Sequence, residues 1–545
     1  MQGFGAPLSV YLFYLLKSVV YIVGWLGWCH LNPHLGAWSE VHTWWSHPSA
    51  FQTAILWSLL FEVVGLGCGS GPLTARYLPP FGGALYFLRI GTMKRAVWPS
   101  LPLVGGDTRG ILDVGLYLAL IAALSWSLIS PGSSPAQLLW IITLIPLLGV
   151  MDQLIFLSAR AEHYWVMLLG CWWAGDHVEI WLAGAMCVQL ALWFWAGISK
   201  LNAHFPTVIS VMLSNHPLNR STRLRRALYR DFPRDLHPSR LAKLLAHLGA
   251  LSELGAPLLL GAVYLGVGGE SAQHMLWIAG LIVAVQLHLF IMSNVPMGVP
   301  IEWNICILYT VFALFGAHPD LNPLTTLWSA RAEYPIYLVS LIICLITVPL
   351  LGNLVPRRVS FLLSMRYYAG NWPYSVWLFK GDAHERLKAL KMTSPWITDQ
   401  LGMLYDERVV EGVIGRVLGF RLMHLQGRAL NALIPRAIDA PLSEYSYMEG
   451  EVVGGLILGW NFGDGHLHQE GLLRQVQARC RFEPGELRCI FVESQPLGGS
   501  EMRYELHDAA SGLLQRGATE ISALLAAQPW EAPEIIERDE VSVSK

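Results

Sequence analysis

The chain has 545 residues, 54% of them hydrophobic and only 14% charged, and it contains 23 Trp. Soluble domains carry roughly a quarter charged residues, so this balance points to a membrane protein. A net charge of −2 argues against a nucleic-acid partner for the chain as a whole. Eight Cys occur singly, with no C-x-x-C pair. They read as small core residues, not as a disulfide frame or a zinc site, and no metal is expected.

A helix that spans a bilayer needs about 20 mostly apolar residues. Stretches of that kind lie at 7–28, 51–69, 110–130, 136–157, 162–175, 178–199, 241–267, 272–293, 301–317 and 335–355, so about ten transmembrane helices are expected. The first is too long for a signal-peptide core and lacks a basic leader, so it is expected to stay as a span. Between the first two lies HLNPHLGAWSEVHTWWSHPS, with four His and three Trp. The pair His30/His34 straddles a proline and lacks helical spacing, so aromatic residues at an interface belt are the expected reading.

Arg and Lys collect in 76–109, at Arg160, in 216–243 and at Arg357-Arg358. Under the positive-inside rule these loops are cytoplasmic, and the span parity agrees. The expectation is a multi-pass protein of the cell inner (plasma) membrane with both termini cytoplasmic. Inside the expected spans lie Lys17, Glu62, Asp113, Asp152, Glu253 and His288. Ionisable groups are costly in hydrocarbon and by default mark function or face a wet cavity.

The stretch Leu190–Pro217 organises the rest. A Trp-rich apolar helix carries the small pair Ala196-Gly197, which admits another helix closely, and then reaches Lys200. Asn202, His204, Asn215 and His216 follow in a short amphipathic run. Lys200 has two readings. It is either a snorkelling anchor or a partly desolvated amine able to act as a base. The loop that follows holds seven Arg between Asn219 and Arg240, a solvated face that would also attract anionic lipids. On the next helix His247 and Glu253 stand about 120° apart around the axis and could edge one cavity. His288 sits deep in a span, and a proline-containing loop then leads to Glu302, Trp303 and Asn304. Irregular backbone at that depth is tolerated only against protein or a cavity.

From residue 356 the charges return, and 356–530 is expected to be a soluble α+β domain, with 531–545 an acidic disordered tail. Helical patterns run through 384–389 and 406–433. EVVGGLILGW (451–460), ELRCIFVES (486–494) and a hairpin after Arg503 are expected as strands. The cluster Gly463–Glu470, GDGHLHQE, is first a turn signal and offers two histidines two residues apart.

The string AGISKL (Ala196–Leu201) resembles the AG-x-KKL segment of the vitamin K-dependent gamma-carboxylases and the related HTTM-type membrane proteins. In those enzymes the second Lys of the string is the base acting on a reduced quinone, and Lys200 matches it. His163, in AEHYW, resembles the histidine of their N-x-H-x-x-L segment; the departure is that Glu162 precedes the His here, without that family's Asn pair. Capping or an interface role is the other reading of His163. A fuller resemblance, over nearly the whole chain, is to a bacterial multi-span membrane family of unknown function. It rests on LFEVVGLGCGSGPL (Leu60–Leu73), SKLNAHFP (Ser199–Pro206) and PMGVPIEWN (Pro296–Asn304).

The expected protein is thus an α-helical polytopic membrane protein with a C-terminal cytoplasmic α+β domain. One functional reading is a membrane enzyme acting on a quinone-like or lipid substrate. In it Lys200 and His163 are catalytic, and Asn202, His204, Glu253, His288, Glu302 and Asn304 bind substrate. Its cofactor is open, a reduced quinone being what the resemblance implies, and its partners are membrane lipids. The other reading is a transporter or assembly factor without catalysis.

Overall fold

Apolar segments of the chain fold into helices in sequence order: α1 (Leu8–His30), α2 (Pro48–Val63), α3 (Ile111–Ile129), α4 (Pro135–Met151), α5 (Tyr164–Trp173), α6 (Val178–Ser199), α7 (Phe205–Ser214), α8 (Arg240–Tyr264), α9 (Glu270–Met292), α10 (Ile301–Thr310) and α11 (Pro335–Leu354). The structure, a computed structural model, describes residues 6–71, 76, 83–130, 133–295, 299–367 and 369–537. Among the described residues six helices are long and apolar enough to cross a membrane: α1, α3, α6, α8, α9 and α11.

The other four expected spans form shorter helices. Helix α2 has 16 residues, α4 has 17 and α5 has 10. At 1.5 Å per residue, α2 rises only about 24 Å against a hydrocarbon core of about 30 Å. It stops because a glycine-rich turn follows, with Gly65 at φ +77°. Helix α4 stops because the Asp152 backbone turns extended and its carboxylate caps the next turn, accepting from the Leu154 N–H at 3.2 Å. Helix α10 continues as a π-turn over Val311–Gly316. In the middle of the bundle, Gly184 of α6 faces the Tyr337 hydroxyl of α11 so closely that a Cβ there would lie 1.7 Å from it. Small residues at such crossings are the usual device of membrane helix packing.

The Arg-rich loop folds as a small hairpin of β1 (Tyr229–Asp231) and β2 (Asp235–Pro238). The C-terminal part builds one antiparallel sheet from β3 (Tyr374–Lys380), β4 (Tyr445–Glu449), β5 (Leu487–Val492), β6 (Glu501–Asp508), β7 (Gly512–Glu520) and β8 (Ile536–Glu537), in the order β4-β3-β5-β6-β7-β8. Alternation along β3 gives its two faces different work. Val376 and Leu378 pack with Leu430 and Leu433, while Trp377 and Phe379 join a core continuous with the membrane helices.

Four sequence expectations change. EVVGGLILGW is a helix (Gly450–Leu458), because Val453, Leu456 and Ile457 share one buried helical face and Gly459 ends it at φ +90°. The strand partnering that region is β3, which the sequence reading passed over. The pattern at 406–433 breaks into Glu407–Met423 and Leu425–Ala437. The tail expected to lack structure supplies β8, which pairs with β7; residues 538–545 lie outside the described residues. So do residues 72–73 and 296–298 of the two motif stretches.

Contacts fix which loops share a side. The Leu236 N–H donates to Gln528 Oε1 at 3.0 Å, and the Gln528 amide donates to Asp235 Oδ1 at 3.0 Å. Arg479 of the C-terminal part pairs with Asp107 at 2.5 Å. The loop before α3, the Arg-rich hairpin and the sheet therefore lie together.

Candidate functional site

Where α6 leaves the bundle, a pocket of about 700 Å³ opens between α6, α7, α8 and the C-terminal part. That size suits a small amphiphile. Four cations line it, Lys200, Arg230, Lys243 and Arg366, together with His204, His237 and His247. Among the described residues no carboxylate lines it. Apolar walls come from Phe205, Ala246, Leu497 and Ile521.

Each polar group has a structural reason for its place. Asn202 ties the exit of α6: its Oδ1 accepts from the His204 and Phe205 N–H groups, and its amide donates to the Ala369 carbonyl at 3.2 Å. Lys200 is the C-cap of α6, and its ammonium pairs with Glu253 of α8, both side chains nearly buried. His204 faces Gln495 through Nε2. The Gln495 amide nitrogen is committed to the Glu493 carbonyl at 3.1 Å, so Gln495 Oε1 accepts and His204 Nε2 carries the proton. His204 Nδ1 is then a bare lone pair, and it is buried without a partner. Burial first, and then Arg366, hold the imidazole down at about 4, so it is neutral at physiological pH.

Arg366, which the sequence reading passed over, is buried and donates to the Asn371 carbonyl at 2.8 Å and to Ser494 Oγ at 3.4 Å. Among the described residues it has no carboxylate partner. Burial alone brings the guanidinium down to about 10, still charged at neutral pH. Its MRYY context offers no periodic or motif signal, so only the fold could reveal it.

The remaining expected site residues do not line this pocket. His163, His288, Glu302 and Asn304 belong to a second polar region inside the helix bundle. His288 Nδ1 meets Asn304 Oδ1 at 2.9 Å, and the Trp193 indole donates to His288 Nε2 at 2.9 Å. The Trp303 indole donates to His163 Nδ1 at 3.1 Å, and Nε2 faces Gln189 Oε1 at 3.2 Å. Glu302 pairs with Lys17 at 2.9 Å. Beside it stand Glu62, Cys68, Arg160 and Glu162, all buried. Arg160, expected as a cytoplasmic marker, is a fully buried cation stacked 4.5 Å from the Trp303 ring. Glu62, Cys68 and Glu302 each bring one possible ligand atom within 4.8 Å of the others. Asp113 and Asp152, also flagged inside spans, are satisfied by Lys94 and Arg109 at 2.5 and 2.7 Å.

The cluster Gly463–Glu470 is a turn with an ion-paired histidine. His466 lies 3.6 Å from Asp464 and 3.1 Å from Glu493. His468 hydrogen-bonds Ser375 Oγ at 2.7 Å.

No curated protein and no solved structure matches the chain. A family model described as "Transmembrane protein of unknown function (DUF3556)" matches residues 1–539, and the chain, a multi-pass transmembrane protein, belongs to that family.

Proposed function

We propose that this protein binds a lipid-like amphiphile with an anionic head, held in the pocket at the end of α6. The observation that carries this reading is Arg366: a buried guanidinium at a cavity wall with no carboxylate partner among the described residues. An unpaired buried charge is costly, and a phosphate- or carboxylate-bearing head would compensate it bidentately. Arg230 and Lys243 add to the same field, and the apolar walls suit a chain entering from the bilayer.

Within this reading Lys200 serves as an ammonium. Glu253 stands against its Nζ, and a base would first have to give up that ion pair. The quinone-directed role of Lys200 rests on AGISKL alone. A catalytic use of the pocket is favoured by a different residue, His204, a neutral imidazole whose Nδ1 is buried without a partner at the pocket wall. Partial spans among ten, both termini cytoplasmic and a bacterial inner membrane complete the proposal, supported by the positive-inside pattern of the loops.

The test is native mass spectrometry of the detergent-purified protein, titrated with phosphatidylglycerol and, separately, phosphatidylcholine. Selective, saturable binding of the anionic lipid that falls at least about ten-fold in Arg366→Gln is the expected result. Equal binding of both lipids, or an unchanged affinity in folded Arg366→Gln, would overturn the reading.

A further inference from the structure

The polar region inside the bundle carries a site of its own, independent of the pocket. Cys68 Sγ lies 3.6 Å from Glu62 Oε1 and 3.7 Å from Glu302 Oε1. In a tetrahedral zinc site, with bonds of about 2.3 Å to sulfur and about 2.0 Å to oxygen, the sulfur–oxygen edge is about 3.5 Å. Both sulfur–oxygen edges therefore stand near that spacing, and the three ligand atoms all lie within 4.8 Å of one another.

The groups behind them are arranged as an outer shell. The Cys68 N–H donates to Glu62 Oε2 at 2.8 Å, Lys17 holds Glu302 Oε2 at 2.9 Å, and Arg160 Nη2 donates to Cys68 Sγ at 2.9 Å. Each ligand is thus oriented through an atom or direction it would not use for a metal. The turn leaves room for this only because residue 67 is glycine: a Cβ there would lie 2.1 Å from Glu62 Oε2.

A further observation points to a missing ligand. Among the described residues Arg160 Nε and Nη1 are buried without a hydrogen-bond partner. They stop 3.8 Å short of Glu62 Oε1 and Glu162 Oε1, beyond hydrogen-bond range.

We propose that Glu62, Cys68 and Glu302 bind a divalent metal of the zinc class within the helix bundle, joining the end of α2 to α10. Mixed thiolate and carboxylate donors favour zinc over magnesium or calcium, which take all-oxygen sites. Three protein ligands leave a fourth position, and a water oxygen there gives Arg160 its acceptor.

The full chain in detergent, stripped with chelator and dialysed against Zn²⁺ alone, should retain one zinc per chain by elemental analysis. Co²⁺ alone should give a thiolate-to-cobalt absorption band. Cys68→Ser should remove the band and weaken zinc at least about ten-fold, while Cys489→Ser in the sheet should keep both. If Cys68→Ser does not fold, alkylation of wild type read by peptide mapping replaces it, with Zn²⁺ slowing modification of Cys68 at least about ten-fold. A folded wild type without stoichiometric zinc overturns the site. So does a cobalt band that survives Cys68→Ser, or Cys68 alkylation indifferent to Zn²⁺.

Discussion

The ion pair between Lys200 and Glu253 decides what the organising lysine is for. Both side chains are nearly buried, 10% and 7% exposed, and the ammonium also lies 5.9 Å from the Phe205 ring. Removing one partner of such a pair strands the other charge, at a cost of about 3–5 kcal/mol. Unfolding entropy of about 2.1 cal/mol/K per residue, over 545 residues, makes about 1 kcal/mol equal to about 1 °C in Tm. Lys200→Met and Glu253→Gln should therefore each lower Tm by about 3–5 °C. The double variant, with no stranded charge, should lie within about 2 °C of wild type. Lys200→Arg should keep both stability and anionic-lipid binding, because an arginine can pair with Glu253 equally well. The assay is thermal unfolding in detergent by intrinsic Trp fluorescence, with lipid binding measured on the same samples. Additive losses in the double variant would refute the ion-pair argument. Loss of function in a fully stable Lys200→Arg would restore the lysine as a base.

Two more outcomes follow from contacts in the C-terminal part. Cysteines introduced at Ser221 and Ser511 should label from the same side of sealed vesicles; opposite labelling would mean that the α10 segment does not count as a crossing. His466 is the pH-sensitive group of the turn: burial opposes its charge, yet Asp464 and Glu493 hold its pKa up at about 9. A folded pKa above the unfolded value of about 6.5 gives stability that is full below about pH 6.5 and lost as pH rises through about 9. His466→Gln should therefore cost Tm at about pH 6 and almost nothing at about pH 10, and an equal loss at both would show that the ion pairs carry no charge-dependent stability.

Much of the architecture follows from one-dimensional pattern. Apolar runs near 20 residues identified the six long helices, because length and composition alone decide whether a segment can cross hydrocarbon. The shift in charge at residue 356 and the alternation in ELRCIFVES and the closing hairpin anticipated strands β5, β6 and β7. Lys200, Asn202 and His204 were legible as a group, since they lie within five residues of one another at a helix exit.

What the pattern could not decide was anything assembled across distance. EVVGGLILGW has the composition of a strand, and only packing against the shared core selected the helix. Arg160 counted as a cytoplasmic loop charge until the fold surrounded it with Glu62, Glu162 and Trp303. Arg366 carries no local signal, and its burial at the pocket depends on the C-terminal part folding back onto α7 and α8. Cys68 looked like a small core residue, and it meets Glu302 across 234 positions of sequence. Helix length and strand alternation are local properties, whereas compensating a buried charge requires partners that only the closed tertiary structure brings within a few ångströms.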